Sequence, residues 1–336
     1  MDYSSKKIYI MLLTVGMLCN LIIVLLFYFQ SITVIEKTSI EKLKNILESN
    51  AMMIENNIEN TELLSHELIN IITSTMNLKF VSDNTDAMNI YEDKISPLFL
   101  NAIINFKAKS GWVVFDTAVV PSAGTISFTK NENGYIRQPE YRIRETEFYK
   151  DAWWVDAVDN GNSWSTPYYW ERWDATIISY SEQIVINNKI IGVGGSDLFF
   201  EDISNQLKSI KLYDTGYVTL VNSNFDILFD NDEKNIGKNY KTLNNNQYAM
   251  YAKQIENGGN FDIIEYKNND ENKIVGYKKL ANGWVLLSSN KKQEIYADLN
   301  KLNIILLVVI MIMIVLSHVY YRIIRKNHYF KKGGLR

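Results

Sequence analysis

Three aspartates and four aromatic residues carry most of the usable chemistry in this sequence: Asp151, Asp174 and Asp197, with Trp153, Trp154, Tyr168 and Trp170. Asp197 closes an apolar stretch that begins at Ile190, and a carboxylate there needs a partner if it is buried, so it is either a ligand contact or a structural cap. The aromatics likewise read two ways, as filling for a core or as ring faces of a pocket. Catalysis finds no set of groups. There is no G-x-S-x-G elbow, and the three histidines are His66, His318 and His328, of which only His66 lies between the two long apolar runs described below. The single cysteine, Cys19, sits inside the first of those runs, so no disulfide and no Cys/His zinc motif is expected, and neither is a cofactor. Gly192-Val193-Gly194-Gly195 lacks the full spacing of a phosphate loop, and Asp230-Asn231-Asp232-Glu233 lacks that of a calcium-binding loop and reads as a solvated turn. A net charge of -3 with no concentrated basic face excludes general nucleic-acid binding.

The elements that must hold these residues start from two uncharged apolar runs, 8–29 and 302–321, each long enough to span a bilayer as a helix. A cleaved signal peptide is the rival for the first, but its apolar part is too long and no A-x-A-like site follows. Lys6 and Lys7 precede the first run, and Arg322, Arg325, Lys326, Lys331, Lys332 and Arg336 follow the second, which places both ends in the cytoplasm and the segment between them outside, with a charge of about -10. An apolar stripe through Ile40, Leu43, Leu47, Ile54, Ile58, Leu64, Leu68 and Ile72 predicts a stalk helix over 30–75. That stripe fits pairing with a second copy in a homodimer and burial on the monomer's own sheet equally well.

From Gly111 the texture changes to short β-branched and aromatic runs between turn residues. Strands are expected at 112–115, 125–128, 175–180, 183–186 and 190–193, with a hairpin at Asn187-Asn188-Lys189 and a helix over 145–160. A second, shorter set follows at 216–221, 226–229, 261–266, 273–277 and 284–288. The fold class is α+β, a long N-terminal stalk helix with two successive antiparallel-sheet modules, PAS-like by the resemblance described below, flanked by two transmembrane helices. The segments are a cytoplasmic N-terminus (1–7), the first span (8–29), the stalk (30–75), a membrane-distal module (76–205), a membrane-proximal module (206–301), the second span (302–321) and a short cytoplasmic tail (322–336).

This order resembles the double Cache (dCache) sensor domain of bacterial chemoreceptors, sensor histidine kinases and diguanylate cyclases. Phe148-Tyr149-Lys150-Asp151-Ala152-Trp153-Trp154-Val155-Asp156-Ala157 looks like that family's aromatic helix, followed as there by Trp164-Ser165-Thr166-Pro167-Tyr168-Tyr169 and Ile177-Ile178-Ser179-Tyr180-Ser181. The run from Ile190 to Leu198 is similar to the family's strand ending in Gly-x-Asp, and Gly216-Tyr217-Val218 through Asn235-Ile236-Gly237-Lys238-Asn239 resembles the start of the second module. The resemblance implies a ligand in the distal module and Asp197 on its amine. Asp151 and Asp174 would add negative charge there, and Trp153, Trp154, Tyr168 and Trp170 would offer ring faces to a cation. Amino-acid-binding members clamp the ligand carboxylate with a basic residue shortly before the aromatic pair. Here Asp151 and Ala152 stand in its place, with Lys150, Arg144 or Arg172 nearby as substitutes. Small amines and quaternary ammonium compounds therefore lead the expected ligands, ahead of ordinary amino acids.

The expected function is a non-enzymatic membrane receptor, in the cytoplasmic or inner membrane, that binds a small extracellular solute. Only some fifteen residues follow the second span, so the output is expected from a longer chain or from a separate cytoplasmic partner. The alternative is a membrane-tethered solute-binding or scaffold protein without signalling of its own.

Overall fold

Between Tyr3 and Thr75 the chain contains one glycine, Gly16, and no proline, so nothing in the backbone interrupts a helix once it starts. In the computed structural model these residues form one helix, α1 (Tyr3–Thr75), where the sequence predicts a span and a stalk. The structure describes residues 3–83, 85–210, 212–268 and 271–333; the ends of the expected cytoplasmic segments, 1–2 and 334–336, lie outside the described residues. After α1 come α2 (Leu78–Asp83) and α3 (Thr85–Asn105), a region for which the sequence analysis names no element. The first sheet and its helices follow as β1 (Ser110–Phe115), β2 (Thr125–Asn131), β3 (Gly134–Arg137), α4 (Ala152–Asn160), β4 (Asn162–Trp164), β5 (Tyr168–Trp170), β6 (Ala175–Ile186), β7 (Lys189–Phe199) and α5 (Phe200–Lys208). The second set is β8 (Tyr217–Val221), β9 (Ile227–Asp230), α6 (Leu243–Asn246), α7 (Ala249–Asn257), β10 (Phe261–Asn268), β11 (Glu271–Lys279) and β12 (Val285–Lys291), before α8 (Lys292–Ile295) and α9 (Ala297–Gly333).

The described residues thus form an α+β protein with a long N-terminal helix and antiparallel sheets. They divide into two units. One comprises α1 through Asn45, the outer ends of β10–β12, and α8 with α9. Within it the apolar side chains of Leu18, Leu26 and Phe27 on α1 and of Leu307, Met311 and Leu316 on α9 are exposed, and Tyr28 Oη donates to Asn303 Oδ1. Both helices contain stretches long and apolar enough to cross a membrane.

The other unit holds both sheets. In the first the strands lie in the order β3-β2-β1-β7-β6-β4, with β5 also paired to β6; in the second the order is β10-β11-β12-β8-β9. Read from the hairpin side, β2-β1-β7-β6-β4 and β9-β8-β12-β11-β10 are the same arrangement, so the repeated element order extends to strand pairing. The β6–β7 hairpin turns through Asn187 and Asn188, both at positive φ, as their residue type allows. Alternation along β1 gives each face its own neighbours. Val113 and Phe115 pack with Leu64, Leu68 and Ile72 of α1 and with Ile95, Phe99 and Ile103 of α3. This upper part of the predicted stripe is therefore buried on the monomer's own sheet, and Leu43, Leu47, Ile54 and Ile58 lower down are buried within the monomer as well. Trp112 and Val114 point to the opposite face, against Trp153, Trp154 and Ala157 of α4. The expected helix over 145–160 is instead two single turns, Ile143–Glu145 and Phe148–Lys150, followed by α4.

A buried acid on α3 has a pH consequence. Arg137 on β3 donates to Glu92 Oε2 at 3.0 Å. Burial, with Glu140 close by, nevertheless lifts the Glu92 pKa from 4.5 to about 7 against the pull of Arg137. The folded state therefore holds this proton more tightly than the unfolded chain. The stabilisation is complete below about pH 4.5 and is lost as the pH rises through about 7. Glu92→Gln, which has no charge to bury, should gain on the order of 2 kcal/mol relative to the native chain between pH 5 and pH 8. Thermal melts at both values check this; a constant difference would remove Glu92 as the titrating group.

Candidate functional site

The pocket face of the first sheet is built by period-two placement of polar and aromatic residues within otherwise apolar strands. Ser110 and Trp112 share a face of β1, Thr125 and Ser127 a face of β2, and Ile177 and Ser179 a face of β6. At their centre lies Asp197 on β7, opposite Ser179 in the β6–β7 register. The residue is buried, 5% exposed. Ser110 Oγ and Trp112 Nε1 donate to Oδ2 at 2.6 and 2.9 Å, and Ser179 Oγ donates to Oδ1 at 2.5 Å. Because Ser179 spends its hydrogen on the carboxylate, the 2.7 Å contact between its Oγ and Tyr168 Oη runs with the tyrosine as donor. Burial pushes the Asp197 pKa up to about 6, opposed by the three donors. No cationic side chain among the described residues pairs with it.

Over this carboxylate stands a wall of rings. Trp153 meets Trp112 edge-on at 5.1 Å and Trp170 at 6.3 Å, while Tyr168 meets Trp170 at 6.2 Å. Asp197, Trp112, Trp153, Tyr168, Trp170 and Arg172 are among the residues lining a cavity of about 20 Å³. A cleft of about 670 Å³ adjoins it, and Asp151, Trp153, Tyr168, Trp170 and Arg172 line that space too. Four of the seven residues singled out by sequence thus meet at the cavity: Trp153, Tyr168, Trp170 and Asp197. Asp151 opens onto the cleft, receives Trp153 Nε1 at 3.3 Å, and has its pKa raised by burial. Trp154 and Asp174 line neither space. Trp154 is buried edge-on against Trp153 at 5.9 Å, and Asp174, exposed and in the left-handed conformation (φ 48°), accepts from Tyr169 Oη at 2.6 Å.

Of the three basic residues that could replace a carboxylate clamp, two are engaged elsewhere. Arg144 forms a two-point pair with Asp116 at 2.9 and 2.7 Å, which raises its own pKa, and Lys150 pairs with Glu147 on the surface. Arg172 lines both spaces. Its guanidinium lies 4.3 Å from the Tyr141 ring centre and its Nη1 donates to Pro139 O at 3.1 Å, with no carboxylate partner among the described residues. Burial raises the Tyr141 and Tyr168 pKa values, so both hydroxyls stay neutral donors. Trp112, Ser110, Ser179, Tyr141 and Trp173 are site residues that sequence reasoning missed. A polar or aromatic residue every second position of a strand is the signal that could have found the first three.

A cavity flanked by a carboxylate without a cationic partner, a guanidinium without a carboxylate partner and aromatic walls suits a small solute carrying an ammonium group, a carboxylate, or both. A family model described as "Cache domain" (dCache_1) matches residues 31–299. No curated protein matches the chain by sequence. Among solved structures, the extracellular domain of the putative histidine kinase soHK1S-Z6 is 16% identical, with a TM-score of 0.61, and the match covers 80% of this chain and 99% of that one. A "Methyl-accepting Chemotaxis protein X" is 14% identical at TM-score 0.56, covering 78% and 100%. The ligand-binding domain of the Campylobacter jejuni chemoreceptor Tlp3, solved with L-norvaline, is 14% identical at TM-score 0.55, covering 78% and 94%. At these identities the likeness is one of fold.

Proposed function

Because the chain belongs to the Cache domain family, matched over residues 31–299, we propose that it is a membrane-anchored extracellular sensor for a small ammonium-bearing solute, with an amino-acid-like zwitterion as the best fit. The observation that carries this reading is the pairing of opposite charges on one small cavity: Asp197, buried and held only by neutral donors, and Arg172, without a carboxylate partner among the described residues. Asp197 takes the ammonium, the indoles of Trp153 and Trp170 face its methylene surface, and Arg172 takes the carboxylate when the ligand has one. Arg172 shifts the reading from simple amines toward zwitterions, since a guanidinium at the cavity would repel a bare cation. Two of the solved relatives support it, being complexes with L-norvaline and with asparagine.

In this reading α1 and α9 cross the membrane through 8–29 and 302–321, both termini are cytoplasmic, and the segment between them is the exterior sensor, with 76–205 the ligand-binding module and 206–301 the membrane-proximal one. Signal output comes from a cytoplasmic partner or from further sequence, and the sensor works as a homodimer through α1. Exposed Met52 and Leu63 on that helix support the pairing, which sedimentation of the full chain in detergent checks.

The test is calorimetric titration of the full chain in lipid nanodiscs against L-amino acids, primary amines and organic acids. Amino acids, or amines more weakly, should bind; saturable binding confined to organic acids without an amino group sinks the reading. In intact cells a membrane-impermeant thiol reagent should modify Ser223→Cys and spare Ser5→Cys, and the reverse pattern overturns the topology.

A further inference from the structure

We propose that the second module carries a ligand site of its own, for a small organic cation. Its location follows from the repeated strand order. In the first sheet Trp112 on the central strand pairs with Ser127 on one side and Gly195 on the other; in the second, Thr219 pairs with Asp230 and Leu287. Trp112 and Ser127 line the cavity of the first module, and Thr219, Asp230 and Leu287 line one in the second. The two cavities therefore occupy the same place on equivalent sheets. A helix after the hairpin covers that face in each, α4 in the first and α7 in the second.

The second cavity measures about 240 Å³. Its chemistry is one-sided. Asp230 is buried and accepts from Thr219 Oγ1 and from the Asp232 amide, each at 2.8 Å, and Asp232 lines the same space. Tyrosine rings complete the wall: Tyr240 and Tyr248 stack at 5.0 Å, and Tyr266 stands edge-on to Tyr248 at 6.1 Å. No lysine, arginine or histidine lines the cavity among the described residues. Two carboxylates and a tyrosine cage without a counter-charge recognise an ammonium carrying apolar substituents, which ring faces and a buried carboxylate hold together. Here the carboxylate sits on the second strand of the module, whereas Asp197 sits on the last. With no guanidinium lining this cavity, a ligand carboxylate would be repelled rather than clamped.

The full chain in nanodiscs should bind choline at least about tenfold more tightly than 3,3-dimethylbutan-1-ol, which has the same shape with carbon in place of the charged nitrogen. Asp230→Asn, whose one oxygen still accepts from the Asp232 amide while its NH2 group donates to Thr219 Oγ1, should weaken choline about tenfold or more. Tyr248→Leu should weaken it as well while Tyr248→Phe retains it, a pair that keeps the test open should Asp230→Asn fold poorly. In Asp197→Asn, where any weak amine binding at the distal carboxylate is removed, a saturable choline site should persist. This separates the site from the distal one, whose own ligands are judged by the amino-acid titration. Equal binding of choline and the neutral alcohol, no saturable choline binding, indifference to both Asp230→Asn and Tyr248→Leu, or loss of choline in Asp197→Asn would each overturn the proposal.

Discussion

Asp197→Ala should abolish the ligand response of the first module, with an affinity loss worth roughly 2 to 5 kcal/mol, because in the proposed reading it removes the carboxylate that meets the ammonium. It should also weaken the fold. Ser110, Ser179 and Trp112 all donate to this carboxylate, and stranding buried donors costs about 1 to 3 kcal/mol each where water cannot replace the acceptor. Asp197→Asn separates the two effects, since its amide oxygen keeps an acceptor in place while the charge is gone: binding should fail with a near-native melt. The same group sets a pH dependence. With its pKa pushed up to about 6, Asp197 is charged at pH 7.5 and largely protonated at pH 5, so affinity for an ammonium should fall as the pH drops through about 6. Calorimetry of the native chain at the two pH values checks this. Undiminished affinity in Asp197→Ala, or an affinity that rises toward pH 5, would take Asp197 out of the ligand's contacts.

Gly195→Ala should be among the most damaging one-methyl changes in the module. A Cβ there would stand 2.2 Å from the carbonyl oxygen of Tyr180 and 2.6 Å from Trp112 Cζ2, and the first obstacle is backbone that has no rotamer to escape into. Relief requires moving β7 away from β6 or tilting the Trp112 indole off Asp197. The expected cost is roughly 3 kcal/mol, a fall in thermal midpoint of about 6 to 12 °C for a unit of this size. Gly259→Ala serves as the control, with nothing nearer than 3.9 Å to its added carbon, and should melt within experimental error of the native chain. Equal midpoints for the two variants would show that the strands part more easily than their packing implies.

Those glycines also show where the sequence was legible and where it was not. Periodicity located β1, the β6–β7 hairpin and the buried stripe of α1, because in each the local pattern and the packing agree. It ended β7 at Val193, although the strand runs on to Phe199. Gly194, Gly195 and Ser196 have little intrinsic preference for a strand; the Trp112 ring takes the space at Gly195, and Ile69 and Val113 crowd Gly194, tertiary reasons that no local window contains. β6 was read as two strands for a related cause: Ser181 and Glu182 interrupt its apolar pattern while its ladder to β7 continues. Asp197, Trp153, Tyr168 and Trp170 were legible as a group from the resemblance and their residue types. Arg172 was visible only as one of three candidates. What distinguishes it is where the other two point, toward Asp116 and Glu147, and sequence spacing does not encode that.

The small size of the Asp197 cavity bears on how fast the sensor responds. A space of about 20 Å³ holds little more than a water molecule, while the cleft beside it, about 670 Å³, shares Trp153, Tyr168, Trp170 and Arg172 as a common wall. In the proposed reading a solute collects in the cleft at a rate set by diffusion, and the space at the carboxylate must then widen, with Trp153 and Trp170, which line both spaces, as the side chains that move. Association then has a unimolecular step whose rate does not depend on solute concentration, so the observed rate levels off at high solute where a simple encounter would keep climbing. Solute lost from the carboxylate passes the same wall on the way out, so aromatic packing adds to the ion pair in setting the lifetime of the occupied state.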